Sequence, residues 1–137
     1  MSERPLVLIT GGAGFIGSHL SKILVQNGFN VRILDPLTVQ VHGVVPAPIK
    51  ELENQHIELI RASVTSRKEL EKALIDVNHI VHLAAETGTG QSMYEVEHYY
   101  QVNSQSTALL FDILANDSKQ YLFAFTHGRR HRLVRTP

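Results

Sequence analysis

Gly11, Gly14 and Gly17 punctuate the stretch Thr10-Gly11-Gly12-Ala13-Gly14-Phe15-Ile16-Gly17. It directly follows the apolar run Leu6-Val7-Leu8-Ile9 and opens a helical pattern, Ser18-His19-Leu20-Ser21-Lys22-Ile23-Leu24. Strand, glycine-rich turn and helix in that order can hold a pyrophosphate. Gly11 suits the tight turn off the strand, Gly14 lets phosphates reach the backbone without meeting a Cβ, and Gly17 lets the helix pack closely. The N–H groups at the helix start then face the anion, and the helix dipole favours it. An ordinary strand-to-helix turn can carry the same glycines, so their context must decide. Val31-Arg32-Ile33-Leu34 reads as a second strand ending in Asp35, an acidic residue roughly 20 positions beyond the glycines. A carboxylate there accepts hydrogen bonds from an adenosine ribose 2′-OH and repels a 2′-phosphate, which points to NAD rather than NADP. A turn residue before Pro36 is the alternative for Asp35.

Such groups need a sheet to position them. Strand patterns fall at 5–10, 31–34, 57–61, 79–83 and 120–126, and helical patterns at 15–27, 66–75 and 93–116. Ser66 with Glu69 reads as a capping box, Leu70, Ala73 and Leu74 as that helix's buried stripe, and Gly28 as a left-handed stop for the first helix. Residues 36–50 hold three prolines and a glycine and read as an extended loop. The fold class is α/β: a Rossmann-type, doubly wound parallel sheet, incomplete, of about five strands in the order 3-2-1-4-5. Ligands of such sheets bind where the order reverses, at the carboxyl ends of strands one and four. There Leu83, Ala84 and Ala85 are small or apolar, as backbone beside a cofactor must be; a buried strand end is the alternative.

Composition narrows the classes. The chain has 137 residues, 43% of them hydrophobic and 19% charged, which suits one globular domain. No apolar run reaches the ~20 residues of a membrane span, and the start lacks a signal-peptide pattern. Cysteine is absent, which excludes disulfides and thiolate chemistry and fits a cytoplasmic location. Through Thr126 there are 9 Lys and Arg against 13 Asp and Glu, a balance of −4, and residues 127–137 add four arginines and no acid. This basic tail lacks interleaved aromatics and any nucleic-acid motif, so nucleic acid is not an expected partner. His127 and His131 stand four apart, as two metal ligands on a helix would, but Gly128-Arg129-Arg130 between them supply no acid and would repel a cation; no metal site is expected.

Together these pieces resemble the extended short-chain dehydrogenase/reductase family, and within it the NAD-dependent nucleotide-sugar epimerases and dehydratases. The likeness rests on Thr10 to Leu20, on Leu34-Asp35, on His82-Leu83-Ala84-Ala85 and on Tyr100-Gln101-Val102-Asn103, and it covers residues 5–126. Gln40-Val41-His42-Gly43 and Gly88-Thr89-Gly90-Gln91-Ser92-Met93-Tyr94-Glu95 are similar to 4-epimerases of dTDP- or UDP-sugars. The resemblance implies that Gly11, Gly14, Phe15, Ile16 and Gly17 line the pyrophosphate turn and that Asp35 holds the ribose. It puts Ser63-Val64 beside the adenine, with Ser63 where the family has an acid. Leu83, Ala84 and Ala85 would pass the ribose and nicotinamide side. Asn103 matches the asparagine of the helix after strand four, and Ser106 replaces the family's glycine three residues on, a change expected to loosen helix packing. Thr126 falls where the family places its catalytic Ser or Thr; a strand-end hydroxyl satisfied by backbone is the equal alternative.

The family's chemistry also needs a Tyr-x-x-x-Lys pair, the lysine and nicotinamide stabilising the tyrosine anion. Four residues after Tyr94, Tyr99, Tyr100 and Tyr121 stand His98, Asn103, Ser104 and Phe125, so the pair is missing. The abrupt turn to arginine after Thr126 is what a truncated or out-of-frame end would give. The expectation is therefore an NAD-binding domain at 1–126 with an atypical tail at 127–137, a nucleotide-sugar substrate for the full-length family, and strand five as an open edge that promotes a homodimer or aggregation. The alternatives are a non-catalytic dinucleotide module that senses NAD or needs a partner chain, and a degenerate chain that binds nothing.

Overall fold

The computed structural model describes residues 3–38, 52–87, 90–119, 121–127 and 130–135, with backbone alone at 122–127 and 130–135. Among the described residues a single sheet carries six strands: β1 (Leu6–Thr10), β2 (Asn30–Leu34), β3 (Ile57–Ile60), β4 (His79–His82), β5 (Leu122–His127) and β6 (Arg130–Arg135). Their order is β3-β2-β1-β4-β5-β6, with the first five parallel and β6 antiparallel to β5. The expected reversal between strands two and four around β1 is therefore present.

β1 is apolar at every position except its last because both of its faces are covered. Successive side chains point to opposite faces. Leu8 accordingly joins a core with Leu34, Leu70, Ile80, Leu110, Leu114 and Tyr121. Val7 and Ile9 join a second core with Val31 and Ile33, closed by Leu20, Leu24 and Phe29. The first core is covered by α2 (Arg67–Ala73) and the helix following β4, the second by α1 (Phe15–Gln26).

The local signals account for the helix ends. Gly28 takes φ +86°, and the N–H groups of Gly28 and Phe29 return to the carbonyls of Val25 and Leu24 in a Schellman stop. Ser66 accepts from the Glu69 N–H at 3.4 Å, but Glu69 turns to Lys72 instead of closing the reciprocal half of the box. Arg32, reaching from β2, donates to the carbonyls of Ala73 and Ile75 at the end of α2 and pairs with Glu58 of β3 at 2.6 Å.

Two expectations change. The single helix expected at 93–116 is built from a 3₁₀ turn (Gln91–Met93), α3 (Val96–Tyr100), a π-helical turn (Gln101–Gln105) and α4 (Ser106–Ala115). The tail read as atypical contains β6, so strand five is not an open edge: β6 covers it and becomes the edge itself. His127 and His131 consequently sit on neighbouring antiparallel strands, not on one helix. Of the loop read at 36–50, residues 39–50, the stretch Gln40 to Gly43 among them, lie outside the described residues, as do Gly88 and Thr89. Among the described residues no helix is long and apolar enough to cross a membrane.

Candidate functional site

The glycines do three different jobs. Gly11 has φ +68°, and a Cβ there would stand 2.8 Å from the backbone of Ala84 beyond β4. A Cβ on Gly17 would stand 2.4 Å from Gly12 Cα, so α1 is pressed against the turn itself. Gly12, which the spacing argument passed over, is equally confined, 2.9 Å from the Ile33 side chain. Gly14 differs. Its nearest neighbour would be the Gly11 carbonyl oxygen at 3.4 Å, ordinary contact, so protein packing does not require a glycine there. A ligand approaching the main chain would.

Gly14 is also the N-cap of α1, in extended backbone, and no side chain caps the helix. The amides of Phe15, Ile16 and Gly17 belong to the first turn, whose N–H groups have no partner within the helix. The first turn carries no acidic side chain to compete for them. Phe15 and Ile16 are exposed at 82% and 63%, so this helix end is open to solvent. An anion fits the donor set: main-chain amides, a positive dipole end and no acidic side chain within the first turn.

Asp35 is buried beside the turn. One carboxylate oxygen accepts from the Ala13 N–H at 3.1 Å and the other from the Leu37 N–H at 2.8 Å. An ionised carboxylate has about four acceptor sites, so two bonds leave capacity for ribose hydroxyls. The residue thus ties the glycine turn to the end of β2 while remaining able to accept from a ligand. Ser63 bonds locally to the hydroxyl and N–H of Thr65, and Val64 is buried in the core under α2. Next to them in sequence, Thr65 lines a hollow of about 330 Å³ shared with Gln101, Gln105, Ser106 and Leu109.

Beyond β4 the chain runs beside the glycine turn. Leu83 donates to the Thr10 carbonyl at 3.0 Å, Ala84 abuts Gly11, and Ala85 is exposed. Asn103 sits in the π turn and clamps Glu86 from both sides: its Oδ1 accepts the Glu86 N–H at 2.7 Å and its Nδ2 donates to the Glu86 carbonyl at 3.1 Å. It holds the loop that borders the site. The π register explains Ser106. Its N–H reaches back to Gln101 rather than Val102, and its hydroxyl donates to the Val102 carbonyl. Ser106 is 1% exposed with that bond made, so the serine stabilises the switch of register where looser packing was expected.

His82, in sequence only one member of the His82-Leu83-Ala84-Ala85 motif, is the polar centre beneath the site. It is 5% exposed, and burial lowers its pKa to about 4. A histidine at an inward-facing strand position was the available signal, since a buried polar group must be hydrogen-bonded. The tyrosines are disposed differently from a catalytic base. Tyr121 is buried and donates to Asp117 at 2.5 Å, and desolvation raises its pKa. Tyr99 donates to the Thr87 carbonyl, and desolvation followed by the charges of Glu86 and Glu95 raises its pKa too. Tyr94 and Tyr100 are exposed. The backbone of Thr126 lies in β5 opposite His131; its side chain lies outside the described part of the chain.

Comparison with known proteins finds that the family model described as NAD dependent epimerase/dehydratase family matches residues 7–128. The dTDP-L-rhamnose 4-epimerase of Burkholderia thailandensis is 38% identical over 110 residues, covering 79% of this chain and 30% of that protein. Among solved structures, an epimerase of Methanothermobacter thermautotrophicus superposes with a TM-score of 0.70 at 27% identity, over 82% of this chain and 32% of its own. The Thermus thermophilus UDP-glucose 4-epimerase, solved in complex with NAD, gives a TM-score of 0.66 at 27% identity, over 80% of this chain and 33% of its own. The chain spans about a third of the length of these relatives.

Proposed function

The chain belongs to the NAD dependent epimerase/dehydratase family, and from that premise we propose that residues 1–126 form the NAD-binding part of a nucleotide-sugar epimerase or dehydratase. The observation that carries this is the start of α1, which no side chain caps, where Gly14 is free of packing constraint and the exposed residues Phe15 and Ile16 open the first turn beside Asp35. Those amides bind the pyrophosphate, and Gly11 brings the turn against Ala84 to complete the cradle. Asp35 accepts from the adenosine ribose hydroxyls and disfavours a 2′-phosphate by charge. Leu83, Ala84 and Ala85 form the floor past the ribose and nicotinamide, Asn103 fixes that floor through Glu86, and Ser63 and Val64 border the adenine end. Bound there, NAD supplies a reversible hydride acceptor. Thr126 is the candidate hydroxyl at the end of β5 for a sugar substrate. Because this sequence holds no Tyr-x-x-x-Lys, turnover by this chain alone is not part of the proposal.

Isothermal titration of the purified chain with NAD and with NADP tests the reading. Saturable NAD binding, with NADP weaker and the difference lost in Asp35→Ala, is expected. Absence of binding by either dinucleotide refutes it.

A further inference from the structure

Four hydrogen bonds beneath the strand ends are satisfied together by one arrangement of their protons. Thr10 Oγ1 lies 2.6 Å from His82 Nδ1, and His82 Nε2 lies 3.0 Å from Thr107 Oγ1. Thr107 donates its hydroxyl proton to the Asn103 carbonyl at 3.3 Å, and the Ala84 N–H donates to Thr10 Oγ1 at 3.3 Å. A threonine hydroxyl has one proton. With Thr107's directed to Asn103, that oxygen accepts from His82, which puts the ring proton on Nε2. Nδ1 is then the acceptor for the Thr10 hydroxyl, whose oxygen still receives Ala84.

We infer that His82, held as the Nε2–H tautomer between Thr10 and Thr107, is a positioning residue that locks the loop after β4 (residues 83–87) to the glycine turn and to the π-turned helix. The loop has no slack at either end. Its start is held by Thr10 through Leu83 and Ala84, with Ala84 already in contact with Gly11. Its Glu86 is held by Asn103, whose own carbonyl takes the Thr107 proton. A shift at Thr107 therefore reaches Asn103 and Glu86 on one side and, through His82, Thr10 and Ala84 on the other. The burial that keeps the ring neutral suits this role, since a doubly protonated ring could not accept from Thr10.

The consequence for cofactor affinity rests on the NAD reading above; the lock itself does not. Two ligand-independent measurements come first. ¹⁵N NMR of the wild-type imidazole is expected to give a protonated Nε2 and a bare Nδ1 for His82. Amide exchange at Ala84 and Glu86 is expected to accelerate about three- to tenfold in Thr107→Val, the worth of one hydrogen bond, and to return to wild type in Thr107→Ser. NAD titration of the same variants should show a similar loss and the same rescue. An Nδ1–H tautomer, or wild-type exchange at both amides in Thr107→Val, overturns the inference. If wild-type protein binds no NAD while the tautomer and exchange results hold, the cofactor reading falls and the lock stands.

Discussion

Acidification should cost this fold stability through one residue. Burial holds the pKa of His82 at about 4, against 6.5 for an exposed histidine. Between those values the unfolded chain binds a proton that the folded chain refuses, so stability falls as the pH falls. The contribution is intact above about pH 6.5, declines on the way down, and is fully lost below about pH 4. The full difference corresponds to about 3 kcal/mol, of which about 2 kcal/mol is already gone at pH 5. Urea unfolding at 25 °C, followed by circular dichroism at pH 7, 6 and 5, measures it. His82→Gln keeps an amide donor but cannot titrate, so its own profile carries every other group's pH dependence. The wild type should lose about 2 kcal/mol more than this variant between pH 7 and pH 5. Profiles that run parallel within about 0.5 kcal/mol would refute the reasoning, because the ring would then titrate alike in both states.

Gly14→Ala should fold with a near wild-type midpoint yet lose at least about tenfold in NAD affinity by calorimetry, since its Cβ meets only the Gly11 carbonyl oxygen at 3.4 Å and otherwise occupies the anion's approach. Gly17→Ala should instead lower the thermal midpoint itself, because its Cβ would stand 2.4 Å from Gly12 Cα. Asp35→Ala should cost about 2 kcal/mol in urea unfolding, the Ala13 and Leu37 amides losing their acceptor, and should level NAD and NADP affinities. Arg32→Met should destabilise by about 1–3 kcal/mol in the same assay while leaving NAD affinity unchanged, because it uncaps two carbonyls at the far end of α2.

The sheet was legible because its signals are local. Apolar runs bounded by Gly, Pro and Asp mark β1 and β2, and a strand buried on both faces cannot be anything but apolar. The turn was legible through its glycines, although Gly12 escaped the spacing argument since what confines it is Ile33, distant in sequence. β6 was obscured by its composition: Arg130, Arg132 and Arg135 hide any alternation, though two residues beginning with glycine between apolar and basic runs are a hairpin signal. The π turn left no trace in periodicity, because Val102, Ser106, Leu110 and Leu114 face the core at a spacing of four, which an unbroken helix also gives. Asn103 and Ser106 acquire their roles only from the turn's register. His82 likewise reads as one polar residue in a strand until Thr10 and Thr107, 72 and 25 positions away, are brought to its two nitrogens.

The central claim is that a dinucleotide's pyrophosphate is held by the main chain where α1 begins. Titration of ¹⁵N-labelled protein with NAD, followed amide by amide, tests it most directly. Saturable shifts concentrated at Gly14, Phe15, Ile16 and Gly17 are expected, with a second group at Leu83, Ala84 and Ala85. Saturable NAD binding that leaves the Gly14 to Gly17 amides unmoved would contradict it.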